Sequence, residues 1–513
     1  MTVALLILGL LGLLVPAGAA PVAEQLNACR EWNDRGRAAE AAACYTKALQ
    51  GALDPASAHA AWLGLAHNLQ WSGDMAGAID AYQHYLADQE YREGGSSDRL
   101  VTLEYIQLLR YRGAYGKAEK LCDRLLRANP HDAEVLSLRA EILFWAGNRG
   151  FQARRDAEAA RTAAPQLASA KVSHSAALEA LGMHRAAREE LNAEDFTSDM
   201  AKFLETRVQQ ETHPDIEAPY SVYNDSDGIH DAIYESVLKV PVRGDQSLEA
   251  RFDRYTSSAP DGSIFTGSRT HAAVREFTLG GTARISPGMH LSLAGGGSSV
   301  DSGSPAGEEI RPTYRASLEG TPFDRWTVAL SSERQFLTVT PRAIDQAIRY
   351  DDASADVRRQ LGARAWASLN FGHRGWSDGN HSQHADANAS RTLIYNRKFN
   401  LDAGPSASFQ AFARDMTAVS GFFTPDRYSR YNVFTAAHGE AGRTATWEIR
   451  GEGGSQQITS LSDFRPEWGV RARMSLRLGP VLRLYGSYER KNYSLLSRDG
   501  WYQGFYVSLG VHP

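Results

Sequence analysis

The sequence predicts two architectures in series: an α-helical repeat array and, after it, an antiparallel β-barrel of about sixteen strands that crosses a membrane. Three observations predict them. Glycine returns at positions 36, 73, 113, 147 and 182 within an alanine- and leucine-rich first part. From residue 215 onward, apolar and polar residues alternate with period two. The links between those alternating runs are themselves alternately short and long.

The bulk numbers fit a chain of more than one domain. It has 513 residues, a formal net charge of −5 and 22% charged residues, which leaves no basic field for nucleic acid. The opening "MTVALLILGLLGLLVPAGAAPVAEQ" sets an apolar run before Ala17-Gly18-Ala19, a small-x-small signal, so residues 1–19 are expected to be a signal peptide. The alternative, a membrane anchor, needs about 20 apolar residues, and the run is short for that. No cysteine follows the cut to carry a lipid, and no later stretch reaches helical-span length. An exported chain of this kind enters a membrane as a barrel or not at all.

Three cysteines are too few for a disulfide framework. Cys29 and Cys44 could pair across one helical hairpin in an oxidising compartment, while Cys122 falls on a core position as a buried thiol. No spacing suits a metal, and no cofactor is expected.

Residues 22–195 carry the repeat. After each glycine a small residue follows, as at Ala41, Ala78, Ala118 and Ala187, and four positions later a larger core residue: Tyr45, Tyr82, Cys122 and Leu191. "LLRYRGAYGKAEKLCDRLLRANPHDAEV" is the clearest copy. The glycine permits a tight turn and the small residue lets paired helices approach closely. This pattern resembles the tetratricopeptide repeat, with a period of about 34 residues. Each unit buries its apolar face only by stacking on a neighbour. Such an array implies a scaffold for protein or peptide partners, with a plain spacer as the alternative.

Residues 196–214 read as a linker and 215–513 as the barrel. In this last part lysine falls to Lys239, Lys398 and Lys491 while glycine, serine and aromatics rise. "SLEARFDR" sets Leu248, Ala250 and Phe252 against Glu249, Arg251 and Asp253; "RWTVALSSERQF" and "TATWEIRG" alternate in the same way. Short links such as "VRGDQ", "SPG", "QLG" and "LGPV" alternate with long ones such as "SSAPDGSIFTGSRT", "FLTVTPRAIDQAI", "GWSDGNHSQH" and "DMTAVSGFFTPDRYSR". An up-and-down outer-membrane barrel has tight turns on one side and long loops on the other.

The barrel reading assigns the arginines of "GVRARMSLRLGPVLRLYGSY". Arg471, Arg473, Arg477 and Arg483 take the lumen phase, leaving Ala472, Met474, Leu476, Leu482 and Leu484 for lipid. An arginine on the lipid face would cost about 2–4 kcal/mol at the midplane. Tyr485 shares a phase with Arg483, and Trp366 with Arg364, Ser368 and Asn370. A lumen that passes sugar needs aromatic faces for pyranose rings and charged or amide groups for hydroxyls, so Arg364, Trp366, Arg471, Arg473, Arg477, Arg483 and Tyr485 are the candidate contacts. The alternative is that they pair and fill a narrow lumen.

A repeat array followed by such a barrel resembles the outer-membrane exopolysaccharide export porins, namely the C-terminal barrel of the outer-membrane component of cellulose synthase and the poly-N-acetylglucosamine export porin. "DSDG" (Asp225–Gly228) and "GFFTPDRY" (Gly421–Tyr428) carry the local likeness. The resemblance implies export of a polysaccharide from the periplasm through the barrel. It implies repeats in the periplasm that bind polymer or synthase components of the periplasm or inner membrane, and no catalytic role. With about five repeats the chain is shorter than those long superhelices. A small family of repeat-plus-barrel outer-membrane proteins of uncertain role fits its length as well. The competing expectation is a receptor or scaffold barrel without transport. An enzyme reading would draw on His373, His381 and His384 with Asp378, Ser382 and Asp386, which the sequence places on a solvated external loop.

Overall fold

The computed structural model describes residues 22–511 apart from 88–95, 148, 193–197, 301–309, 397, 443, 459–460, 480 and 493–500. The expected signal peptide thus lies outside the described residues. The chain forms two compact units, one ending at Leu125 and one beginning at Leu126.

The first unit holds α1 (Val22–Asp34), α2 (Ala38–Leu49), α3 (Pro55–Ser72), α4 (Met75–Ala87), α5 (Ser96–Tyr111) and most of α6 (Tyr115–Ala128), in which the boundary falls. They pair as hairpins, and each hairpin turns on one of the periodic glycines. Gly36, Gly73 and Gly113 have φ of 71°, 90° and 67°, a left-handed conformation that suits glycine. Ala41, Ala78 and Ala118 are fully buried between helices, as are Tyr82 and Cys122. Asp54 caps α3, accepting from the amides of Ala56 and Ser57 at 3.0 and 3.1 Å. A disulfide joins Cys29 to Cys44 across the first hairpin, with Cα atoms 5.3 Å apart.

The second unit begins with two further hairpins, α7 (Ala133–Ala146) with α8 (Gly150–Ala163) and α9 (Ala168–Ala180) with α10 (His184–Leu191). They turn at Gly147 and Gly182, with φ of 76° and 67°. The segment expected to be a linker is instead a helix, α11 (Asp199–Thr212). Ser198 caps it, and Met200, Ala201, Leu204 and Val208 pack with Val172, Ala176, Leu178, Ala187 and Leu191. Spaced at i, i+4 and i+8, Met200, Leu204 and Val208 make one apolar stripe.

The strands follow without a break: β1 (Asp215–Asp225), β2 (His230–Pro241), β3 (Gln246–Ser258), β4 (His271–Ser286), β5 (Met289–Val300), β6 (Ile310–Phe323) and β7 (Trp326–Phe336). After a short helix, α12 (Pro341–Asp345), come β8 (Arg349–Gly362), β9 (Ala365–Trp376), β10 (His381–Tyr395) and β11 (Phe399–Phe412). After α13 (Thr417–Ser420) come β12 (Tyr428–Ala441), β13 (Ala445–Ile458), β14 (Leu461–Leu478), β15 (Leu482–Lys491) and β16 (Tyr502–Val511). Each pairs antiparallel with its sequence neighbour, and β1 pairs with β16, from Ile216 opposite Val511 to Asp225 opposite Tyr502, so that sixteen described strands close one barrel.

Period-two alternation sorts the side chains as the sequence predicts. Outward residues include Leu248, Leu279, Leu293, Phe371, Val433, Ile449, Met474 and Val507, all large, apolar and exposed. A belt of this kind belongs against lipid. Trp326, Phe399 and Trp447 occupy outward positions near the turn ends, where aromatic girdles lie. The inner face is polar, with Asp253, Ser298 and Glu467 each at most 4% exposed.

The link lengths depart from strict alternation. The turn side is short throughout, but the opposite side mixes long links (259–270, 337–348 and 413–427) with the short segments 226–229 and 377–380. "GWSDGNHSQH" is mostly strand, because β9 and β10 continue to Trp376 and from His381. The histidine cluster therefore does not sit on a long loop. His373 and His381 lie on the outward phase with ring centroids 6.0 Å apart, while His384 lies on the inward phase beside Gly372.

The last helices of this unit dock on the turn side through directional contacts. Asp324, in the β6–β7 turn, accepts hydrogen bonds from the amides of Phe151 and Gln152 at 3.0 Å each, capping α8, which has no side-chain cap of its own. Asp245, in the β2–β3 turn, accepts from the Arg185 amide at 2.9 Å and from Arg284 at 2.7 Å. The Gly288 amide donates to the Leu181 carbonyl at 2.9 Å. Burial lowers the His184 imidazole below its ordinary range here, against the opposing pull of Glu211 and Asp245.

Candidate functional site

A barrel of sixteen strands is wide enough to hold water as well as side chains, and its inner face carries the polar and charged groups described next. Three tiers follow one another from the turn side to the loop side.

The turn-side tier carries the arginines. Arg473, Arg477 and Arg483 take the inward phase, and Arg477 stands directly opposite Arg483 across the β14–β15 ladder. Among the described residues neither Arg477 nor Arg483 has an ion-pair partner. Tyr485 also faces inward, 5.4 Å from Tyr506 ring to ring. Trp366 points into the lumen with the Arg358 guanidinium 4.0 Å from its ring. Arg364 does not share that wall. It occupies the β8–β9 turn, and its guanidinium lies 5.0 Å from the Tyr395 ring. The two-residue turn interrupts the alternation by which the sequence put it in phase with Trp366.

The middle tier is a set of charge pairs on two walls. On β12–β15, Arg430 bonds Glu467 bidentately, and Glu452 lies within 3.7 Å of Arg430, 3.4 Å of Arg450 and 3.4 Å of Lys491. Glu448 faces both Arg471, at 3.5 Å, and Arg473, at 3.9 Å. On β2–β7, Arg251 joins Glu235 and Asp253, Ser298 donates to Glu276 at 2.8 Å, and Arg315 reaches Glu276 and Glu333 at 3.9 and 3.8 Å. Charges held in low-dielectric surroundings need such partners. A cavity of about 390 Å³ opens beside Arg430 and Arg471, faced by Asp356, Asn370, Asp386 and Asn388. Arg471 is thus tied into a charge network, whereas Arg477 and Arg483 are not.

The loop-side tier is closed by loops folded into the barrel. Ile344 of α12 is fully buried against Ala272 and Val274 of the inner wall, with Tyr255 and Val300 beside them. Leu337, Ala343 and Ile348 of the same link pack with Trp376, Phe412 and Phe422. Three links lock together there. Thr340 donates to the Gly421 carbonyl at 2.7 Å, and the Arg342 amide to the Phe265 carbonyl at 2.9 Å. Beneath this plug is a cavity of about 360 Å³ lined by Tyr223, Tyr502, Trp376, Phe412, Phe422 and Phe423 together with Asp225, Asp231 and Arg374. Tyr223 and Tyr502 stack at 5.8 Å.

Sequence reasoning did not single out this aromatic chamber. The inward phase of Trp376 could have been found by extending the alternation Trp366–Ser368–Asn370 for three more steps. Phe422 and the plug could not, because they depend on how one loop folds over another.

The histidines make no nucleophile–base arrangement. Two face outward and one inward, and Ser382 accepts from the Trp376 indole at 3.2 Å. Among the described residues no group of three His, Cys, Asp or Glu side chains is placed to hold a metal ion.

No protein-family model matches this chain, and no curated protein matches it. Among solved structures, a bacterial polysaccharide outer membrane secretin aligns over 59% of this chain and 99% of its own, at 14% identity and a TM-score of 0.49. Pseudomonas aeruginosa OccD3 (OpdP) aligns over 58% of this chain and 90% of its own, at 7% identity and a TM-score of 0.32. A tetratricopeptide repeat protein from Parabacteroides merdae aligns over 37% of this chain and 70% of its own, at 15% identity and a TM-score of 0.30.

Proposed function

We propose that this protein is an outer-membrane conduit through which an exopolysaccharide leaves the periplasm, with its helical repeats on the periplasmic side to bind polymer or synthesis machinery. The observation that carries the reading is the inner wall. It is polar along its length, has its charges neutralised in pairs at mid-height, and ends in an aromatic chamber under a folded plug. Paired charges leave a hydrated path without a strong field to trap a long polymer. Trp366, Tyr485 and the chamber aromatics offer faces to pyranose rings, and Arg471, Arg473, Arg477 and Arg483 offer donors to hydroxyls or carboxylates. Arg364 would act at the entrance turn. The docked helices support a periplasmic address for the turn side, since tight turns face the periplasm in such barrels.

A second reading, a receptor or scaffold without transport, draws on the plug itself, since three interlocked links fold into the loop-side mouth. An in-frame deletion, scored for exopolysaccharide inside and outside the cell, separates the two. Loss outside with accumulation in the periplasm supports the conduit; unchanged secretion in a polymer-making strain rejects it.

A further inference from the structure

One half of the turn-side mouth is fastened to helices, and the other holds unpaired charge. The directional contacts that seat the helices of this unit fall on three neighbouring turns, β2–β3 at Asp245, β4–β5 at Gly288 and β6–β7 at Asp324. A cavity of about 440 Å³ lies between α10, α11 and the inward residues Lys239, Thr282 and His290 of that sector. The remaining turns, 363–364, 396–398, 442–444 and 479–481, form no hydrogen bond or ion pair with these helices among the described residues.

Arg477 and Arg483 flank the last of these turns. One inward row there runs Arg477, Arg483, Gly510 and Glu217, each opposite the next across the ladders. Like charges placed face to face across a ladder are unfavourable by themselves. Neither guanidinium has an ion pair, a hydrogen bond or a ring contact among the described residues. Asp402 on this wall is taken by His438 at 3.0 Å, and Glu448 by Arg471 and Arg473. The nearest inward carboxylates without an ion pair, Glu217 and Glu440, each stand two strands away. That is about 10 Å or more at ordinary strand spacing, about a Debye length in dilute salt. The next inward row carries Ser475, Tyr485 and Ser508, each opposite the next, about 7 Å along the strands.

We propose that Arg477, Arg483 and Tyr485 form a subsite for an acidic sugar residue, so that the polymer taken up at this mouth carries carboxylates on its units. The polymer is that of the conduit reading, on which this assignment rests. A carboxylate accepts charge-assisted hydrogen bonds from both guanidiniums and relieves their mutual repulsion. The Tyr485 ring offers an apolar face to the pyranose ring, and Ser475 and Ser508 offer hydroxyls to its hydroxyls. A neutral chain would use the tyrosine row and leave the arginine pair uncompensated.

The test uses the full-length protein in detergent and calorimetric titration, with hexagalacturonate as the acidic probe and maltohexaose as the neutral one. The wild type is expected to bind hexagalacturonate and not maltohexaose, and added salt should weaken the binding by screening. Arg477→Gln with Arg483→Gln should weaken it by roughly tenfold or more, because each arginine supplies a charge-assisted bond. Arg359→Gln, on the outward phase opposite Trp326, should leave it unchanged. Arg477→Lys with Arg483→Lys keeps both charges but loses the forks, and should retain an intermediate affinity. Equal affinity in the glutamine variant, or no binding of hexagalacturonate by the wild type, overturns the subsite. Maltohexaose bound as tightly as hexagalacturonate overturns the acidic assignment. Inorganic phosphate competing as well as hexagalacturonate overturns the sugar assignment. Unchanged secretion in the deletion strain rejects the conduit and leaves the measured uronate affinity standing, so the two failures read differently.

Discussion

The two ends of the barrel are held by different physics. At the turn side the helices meet the strands through carboxylates aimed at helix amides: Asp324 on Phe151 and Gln152, and Asp245 on Arg185. At the loop side apolar burial is added to hydrogen bonds, with Ile344 and Ile348 seated on the inner wall and on Trp376 while Thr340 and the Arg342 amide bond the Gly421 and Phe265 carbonyls. Hydrogen bonds are directional and modest in net strength, so the turn-side seam fixes an angle more than it stores free energy. Apolar burial is stronger and non-directional. A plug made that way has both an apolar seat and a set of interlink hydrogen bonds to rebuild if it moves.

That contrast can be broken at either end. The largest effect is expected from replacing residues 338–347 by a short glycine–serine link. In planar bilayers the wild type should be nearly silent and the variant should conduct as a water-filled pore; equal currents would show that the plug is not the barrier. Ile344→Ala should loosen the seat by about 2–5 kcal/mol, the ordinary cost of truncating a large buried aliphatic side chain, and should raise the frequency of openings without altering their amplitude. Asp324→Ala removes a cap worth about 1 kcal/mol. It should accelerate hydrogen exchange at the Phe151 and Gln152 amides and leave conductance untouched, which would separate orientation from closure.

The smallest effect concerns pH and the helices alone. Burial holds the His174 imidazole of α9 below its ordinary value near 6.5, with Glu190 of α10 pulling it up and, from α8, Arg161 pushing it down and Glu158 pulling it up. A depressed histidine stabilises the fold above its unfolded value, and that contribution is lost as pH falls through the folded value. Thermal unfolding of the helical signal in circular dichroism should therefore shift downward below neutral pH, and His174→Gln should flatten the dependence.

Much of this was legible because the determinants are local. A glycine that must take positive φ announces its hairpin wherever it stands, which is why Gly36 to Gly182 could be read from spacing alone. The inward phase of Arg471, Arg473 and Arg477 follows from counting by twos along β14, and that of Arg483 from counting by twos along β15. Arg364 was misplaced because a turn resets that count. α11 was read as a linker although Met200, Leu204 and Val208 carry a helical stripe, since its packing surface comes from α9 and α10. The plug and the caps at Asp245 and Asp324 were invisible for the same reason. Each joins residues far apart in sequence, and nothing in a five-residue turn says which helix will arrive above it.

The seam between β1 and β16 has a consequence for how the molecule comes into being. Ile216 meets Val511 only after every strand between them exists, and closing a loop of roughly 300 residues carries an entropy cost that the intermediate hairpins can lessen but not abolish. Until that last pairing forms, both end strands present rows of unsatisfied backbone groups, the kind of edge that recruits another copy. Topologies dominated by distant pairings fold slowly. For this chain the vulnerable interval is thus the time before its first strand finds its last, and whatever holds one of those two edges during insertion governs the yield of closed barrels.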